Sequence, residues 1–160
     1  MKYNDVINHP SLKDYFGKNS EKWIDSLNSL VEKKNLGEKE VDDKEARRLL
    51  TASQKFSWLA FFLTFYWAAY HNLNGWIYFC IGVVIVHAID IIFLGSSASP
   101  GIAFGAGWVF GLMGRSHLLI SKADELTKTS NLSPPSWGRV AVAFLIYGGG
   151  ILLAYTIAEL

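Results

Sequence analysis

Cysteine is nearly missing from this 160-residue chain: Cys80 stands alone inside an apolar run, which excludes a secreted scaffold held together by disulfides. Charge is missing from two thirds of it. Of the 29 Lys, Arg, Asp and Glu residues, 21 fall in positions 1–55 and only 8 in the remaining 105. A water-soluble fold with so few charges over so long a stretch would expose a large apolar surface, so residues 56–160 read as embedded in a membrane. A surplus of one sign is also lacking. Lys and Arg number 15 against 14 Asp and Glu, and 11 against 10 in the first 55 positions, which argues against nucleic acid as a partner. The first 30 residues have neither an apolar h-region nor a small-residue cleavage site, and they carry Asp5, Lys13, Asp14, Lys18, Glu21, Lys22 and Asp25. No signal peptide is expected there, and the N-terminal part is expected to stay in the cytoplasm.

Chemical motifs are equally scarce. His9, His71, Cys80, His87 and His117 show no zinc-type spacing. No Ser, Thr or Cys stands beside a base, no acid pair has helical spacing inside the apolar part, and GIAFGAG at 101–107 lacks the Lys and the strand context of a phosphate loop. The sequence therefore predicts no enzyme, no metal and no cofactor.

What is present begins with helices. Pro10 to Phe16 reads as a short helix stopped by Gly17. Asn19 or Ser20 caps a clearer one, in which Trp23, Ile24, Leu27, Leu30 and Val31 form one apolar stripe that ends before Gly37. A third helix spans roughly Asp42 to Gln54, with acidic residues in its first turn and Arg47, Arg48 and Lys55 later, the sense the helix dipole favours. Residues 1–55 thus read as a small cytoplasmic helical region packed on itself and on the membrane face. Its stripe of Trp23, Leu27 and Leu30 is the candidate surface for a protein partner.

Residues 56–160 read as the membrane domain, with four apolar segments at 56–71, 76–94, 101–120 and 137–158. The last three are 19 to 22 residues long and suit a helix crossing ~30 Å of hydrocarbon. The first has only 16 residues, eight of them Phe, Trp or Tyr, a composition usual at the lipid interface. Four crossings from a cytoplasmic N-terminus would put Arg115, Lys122, Lys128 and Arg139 outside, against the positive-inside tendency. Three crossings, with segment 56–71 dipping in and returning or lying in the interface, keep Arg47, Arg48, Lys55 and all four of those residues inside. The fold class is all-α, a polytopic helical membrane protein with three or four apolar segments. The three-crossing topology is preferred, with Arg115, Lys122 and Arg139 as cytoplasmic interface anchors that snorkel to the headgroups.

Phe56, Trp58, Ala60, Phe61, Phe62, Trp67 and Tyr70 fall in register with the pattern F-x-W-x-A-F-F-x-G-P-x-W-x-x-Y-R-K. YFGKNSEKW at 15–23 is similar to a G-K-N-x-x-x-Y element and GLMGRSHLLISK at 111–122 to a G-x-x-G-N-x-x-Y element. In these features the chain resembles a family of small bacterial inner-membrane proteins catalogued only as a domain of unknown function. The resemblance covers most of the chain and implies location in the bacterial inner membrane, with no reaction, ligand or cofactor attached. Thr64 and Phe65 stand where the pattern has Gly-Pro, the pair that would kink the segment. His71 and Asn72 replace Arg-Lys, and Arg115 and Ser116 replace a Gly-adjacent Asn.

Polar residues inside an apolar segment usually have a partner or a wet pocket. His87 and Asp90, three residues apart on one helical face, form a candidate intramembrane polar site, with Tyr155 and Thr156 placed near that depth if the last crossing runs parallel. Gly101, Gly105, Gly107 and Gly111 offer small faces for close helix packing, within the chain or between copies. Gly148-Gly149-Gly150 reads as the complementary surface or as a flexible point. Two functions follow as expectations. One is a non-enzymatic inner-membrane protein acting through protein–protein contact as a scaffold, regulator or immunity-type partner. The other is a small oligomeric channel or transporter built on His87 and Asp90. The lipid bilayer is the expected partner in both, joined by a protein partner or further copies of the chain.

Overall fold

The computed structural model describes residues 1–51, 56–95 and 99–159, the side chain of Ser99 excepted. The expected helix end at Gln54, Lys55 behind it and the hairpin turn near Ser97 lie outside the described residues. The described residues form helices and no strand: α1 (Tyr3–Ile7), α2 (Pro10–Phe16), α3 (Ser20–Glu32), α4 (Lys44–Thr51), α5 (Trp58–Tyr70), α6 (Trp76–Leu94), α7 (Ser99–Thr129) and α8 (Trp137–Ala158). They fold as two compact units. Unit one joins Met1–Phe56 to Leu112–Pro135, and unit two joins Ser57–Gly111 to Ser136–Leu160.

Unit one starts from local signals that the sequence displays. The ring Nδ1 of His9 accepts the Ser11 N–H at 3.2 Å, Pro10 opens α2, and Gly17 closes it at φ +54°. Asp43 Oδ1 accepts the N–H groups of Glu45 and Ala46 at 2.8 and 3.1 Å and so caps α4. The five-residue α1 was not anticipated from periodicity. It is held by chain pairing on either side, with Tyr3 N–H on Lys39 O at 3.1 Å and Val41 N–H on Met1 O at 2.9 Å.

The core of unit one is made of Tyr3, Val6, Ile7 and Leu12 with Leu27, Leu30 and Val31 of α3, Ala46 and Leu50 of α4, and Leu119, Ala123 and Leu126 of α7. This differs from the expected division at residue 55. Fifty-five residues with so little large apolar surface make a marginal domain, and the C-terminal half of α7 provides the missing face. Each such side chain, once buried, contributes about 1.5–3 kcal/mol. A charged contact fixes the same junction: the Arg47 guanidinium meets the Asp124 carboxylate, and its Nε donates to Val41 O at 2.7 Å.

In unit two, α6 and α8 are long and apolar enough to cross a membrane. They run parallel, because Cys80 near the start of α6 meets the first part of α8 while Val84 and His87, farther along, meet Gly150 and Tyr147 farther along α8. The Cys80 thiol reaches Ala143 O at 3.7 Å, while His87 meets Tyr147 farther along. At Gly150 a Cβ would collide with the Val84 side chain, so the glycine lets the two helices close. The third expected segment, 101–120, is not a separate helix. It is the first part of the 31-residue α7, whose remainder belongs to unit one.

The first expected segment, 56–71, is broken. Thr64 sits at φ +40° and ψ −115°, dividing α5 into two short helical pieces. The Ser57 N–H donates to Gly111 O at 2.7 Å and the Phe61 ring packs on Phe104 at 5.8 Å, so the first piece climbs along α7 from 111 toward 104. The Phe65 ring packs on Tyr147 at 5.1 Å, and Ser136 N–H donates to Tyr70 O at 3.1 Å, so the second piece descends along α8 from 147 back to its start. Together the two pieces make a hairpin whose tip is Thr64.

Candidate functional site

The tip of that hairpin borders a half-open cavity of about 380 Å³ within unit two. Thr64, Phe65 and Tyr66 of α5, His87 of α6, Phe104 of α7 and Tyr147 of α8 are among the residues that line it. The break at Thr64 is part of the cavity wall. A β-branched residue at positive φ is costly by about 1–3 kcal/mol, so the strain is held by the packing around it.

One polar pair faces this apolar lining. The Tyr147 hydroxyl and His87 Nδ1 are 2.9 Å apart. His87 is only 5% exposed, and its other ring nitrogen, Nε2, is buried with no hydrogen-bond partner. Which group donates follows from the ring tautomer: if the hydroxyl donates to Nδ1, Nε2 carries the ring proton, and if Nδ1 donates to the hydroxyl, Nε2 is an acceptor. Asp90 lies one turn further on α6 and is 1% exposed. Spacing placed His87, Asp90 and Tyr155 together, but the tyrosine that reaches the histidine is Tyr147, and Tyr155 is exposed. Tyr147 lies on the face of α8 that meets α6, two turns before Tyr155. Among the described residues no three His, Cys, Asp or Glu side chains gather as a metal-binding group.

The four packing glycines divide. A Cβ at Gly107 would lie 2.9 Å from Phe61 O, and Gly111 accepts the Ser57 N–H, so both hold the α5 hairpin against α7. At Gly101 and Gly105 a Cβ would meet nothing within 4 Å, and both residues are exposed. Of the triple glycine, only Gly150 is in close contact.

The expected anchors have partners inside the protein. Arg115 donates from its terminal nitrogen to Ser26 Oγ at 2.7 Å and lies over the Trp23 ring at 5.9 Å. Lys122 is fully buried. Its ammonium lies 2.9 Å from Glu125 Oε2 and 4.6 Å from the centre of the Tyr15 ring. Burial pushes the Glu125 carboxyl up, but hydrogen bonds from Ser133 and Lys122 outweigh it and hold the group below the usual glutamate range. Arg139 donates from Nε to Ala69 O at 3.0 Å and so caps the carbonyl end of α5. Snorkelling to lipid headgroups is therefore corrected for Lys122, which has no exposed surface. For Arg115 and Arg139 these protein contacts join or replace it.

The stripe on α3 needs the same correction. Leu27 and Leu30 are buried in the core of unit one, and Trp23 stacks on Phe16 at 5.0 Å. A surface consumed by the chain's own fold is not open to a partner. Thr64 and Tyr147, the two residues that define the cavity, were missed. Tyr147 carries no sequence signal; Thr64 stands where the inner-membrane pattern has Gly-Pro, and the short aromatic first segment reads as no ordinary span. Compared with family models, curated proteins and solved structures, the chain finds no match.

Proposed function

We propose that this chain is a non-enzymatic integral protein of the bacterial inner membrane. In this reading α6, the first part of α7 and α8 cross the bilayer, α5 is a re-entrant hairpin, and unit one is a cytoplasmic head. The observation that carries it is the direction in which apolar side chains point. Among the described residues, 24 large apolar side chains are exposed, and 23 of them belong to unit two. Lipid is the solvent that makes such a surface favourable.

Topology has separate support. Residues 1–51 and 119–126 share one core, so they lie on one side of a membrane, and the chain between them crosses an even number of times. A hairpin at α5 followed by crossings at α6 and α7 meets that condition. Four crossings do not. The resemblance to the inner-membrane family agrees with this placement, and the hairpin tip falls where that family's pattern has Gly-Pro.

The head acts by contact with a protein partner through its charged exterior, since its apolar stripe is used internally. A second reading, transport by an oligomeric membrane unit, is favoured by the buried His87, Tyr147 and Asp90. Single cysteines in a Cys80→Ser background test the topology. Reporters at Asn8 and Ser130 should both resist an impermeant maleimide in intact cells and react in inverted vesicles, whereas one at Glu159 should react from outside. Labelling of Ser130→Cys from outside would overturn the proposal. Detergent purification tests the two functions. A stoichiometric partner supports the first, and cation flux in liposomes lost in the double variant His87→Ala with Asp90→Ala supports the second.

A further inference from the structure

We infer that unit one holds the phosphate of an anionic phospholipid between Arg115 of α7 and Lys22 of α3, beside the Ser26 hydroxyl. The inference rests on the membrane placement proposed above and not on either function proposed for the chain. Three observations lead to it. The first is a guanidinium without a counter-charge. Among the described residues Arg47 pairs with Asp42 and Asp124, and Arg139 donates to the carbonyls of Ala69 and Tyr70, but Arg115 touches no carboxylate. It is partly buried, one terminal nitrogen donates to Ser26 Oγ at 2.7 Å, and the group lies over the Trp23 ring at 5.9 Å. The other terminal nitrogen, Nη2, makes no hydrogen bond and reaches the surface. A guanidinium has donors only, so whatever meets Nη2 must accept, and a partly desolvated cation is best met by an anion.

The second observation is the surface around that arginine. Successive residues of a helix are turned by ~100°, so Lys22, Ser26, Ser29 and Lys33 share one stripe of α3, whereas Glu21, Asp25 and Glu32 share another about a quarter-turn round. Both lysines are exposed, and neither has an acidic partner among the described residues. The positions three and four away from Arg115 on α7 are Gly111, Leu112, Leu118 and Leu119, with no acid among them. An acid-free basic stripe with an arginine set against its hydroxyl is complementary to lipid phosphate. The third observation is depth. The Phe110 ring packs at 4.4 Å on Phe79, three residues inside the start of α6 at Trp76, and Arg115 follows Phe110 by five residues. At ~1.5 Å per residue the first interval is ~4.5 Å and the second ~7.5 Å, so in the proposed placement Arg115 comes just past the cytoplasmic end of the crossings. Lipid phosphate is the anion concentrated at that level.

The full-length protein in detergent is titrated with dioleoylphosphatidylglycerol and, separately, with dioleoylphosphatidylcholine, and lipid adducts are followed by native mass spectrometry. Saturation of one phosphatidylglycerol site is expected at about tenfold lower concentration than for phosphatidylcholine, the worth of one charged hydrogen bond. Arg115→Gln keeps a donor for Ser26 but removes the charge, and should abolish that preference. Lys22→Gln changes an exposed side chain that the core does not use, and should reduce the preference about threefold. Equal binding of the two lipids by the wild type, or an unchanged preference in either variant, overturns the inference. If circular dichroism shows that Arg115→Gln unfolds, Lys22→Gln decides alone. Displacement of the lipid by an equal concentration of inorganic phosphate overturns the lipid assignment in favour of a soluble anion, and displacement by a short polyglutamate overturns it in favour of an acidic protein segment. Failure of the placement itself reads differently, as release of the protein from membranes by alkaline carbonate.

Discussion

The two units of this protein use leucine in opposite ways. In unit one Leu12, Leu27, Leu36, Leu50 and Leu119 are wholly or almost wholly buried, and the exterior is charged. In unit two Leu59, Leu145, Leu152 and Leu153 are at least 60% exposed, while the buried set includes His87 and Asp90. The difference teaches that hydrophobicity by itself assigns no side chain to an interior. What decides is the medium outside: water stabilises a leucine that is covered, and on the membrane placement proposed above lipid stabilises one that is left out.

The strongest way to break that contrast is to damage each unit in the manner that should hurt only it. Leu27→Ala opens a cavity in the core of unit one and should cost about 2–5 kcal/mol. Because α7 closes that core, limited proteolysis should then cut residues 1–51 and 112–135 together, and independent loss of one stretch would show that the unit is not a single cooperative body. Leu145→Asp makes the complementary change on α8, at a position 71% exposed. On a water-facing surface the change stays within about 0.5 kcal/mol. In a bilayer an aspartate near the helix centre costs about 3 kcal/mol, readable as reduced membrane integration of α8 in a translocation assay. A neutral outcome would place water outside unit two.

The smallest effect comes from Tyr3, whose buried hydroxyl has no hydrogen-bond partner. Burial is the main cause that pushes this hydroxyl up to about 12 from the ordinary 10, although Arg47 pulls the other way. A raised value in the folded state means stability is complete below pH 10 and is lost as pH rises through 12. Tyr3→Phe should remove that alkaline loss and gain about 1 kcal/mol at neutral pH, since no buried donor is left unmade. Urea melts of unit one's fluorescence between pH 8 and pH 12 check both statements. Loss of stability on this substitution would mean that the hydroxyl has a partner in solution.

Legibility followed the range of the signal. The stops and caps of α2 and α4, and the apolar stripe from Trp23 to Val31, are written within a few residues and were readable. What covers the stripe was not, because periodicity marks an apolar face without naming its neighbour, and Leu119 lies in a run that composition assigns wholly to the membrane. A segment 56–71 that dips in and returns was legible, but not that it turns at Thr64, because neither glycine nor proline marks that residue and the strained conformation is held by tertiary packing. The His87 site was half legible. Its histidine stood out as a polar residue in an apolar run, but the tyrosine 60 positions away depends on which faces of α6 and α8 meet.

The shared core of unit one also sets an order of events during synthesis. Its N-terminal helices leave the ribosome first, yet they cannot close until Leu119, Ala123 and Leu126 have followed, with residues 57–111 made in between. Unit one therefore closes only after residues 112–135 are made, although the larger of its two stretches, 1–56, is made before residue 57. Once closed, unit one ties residue 56 to residue 112, so on the membrane placement proposed above the segment between them could not be withdrawn from a bilayer without first unfolding unit one.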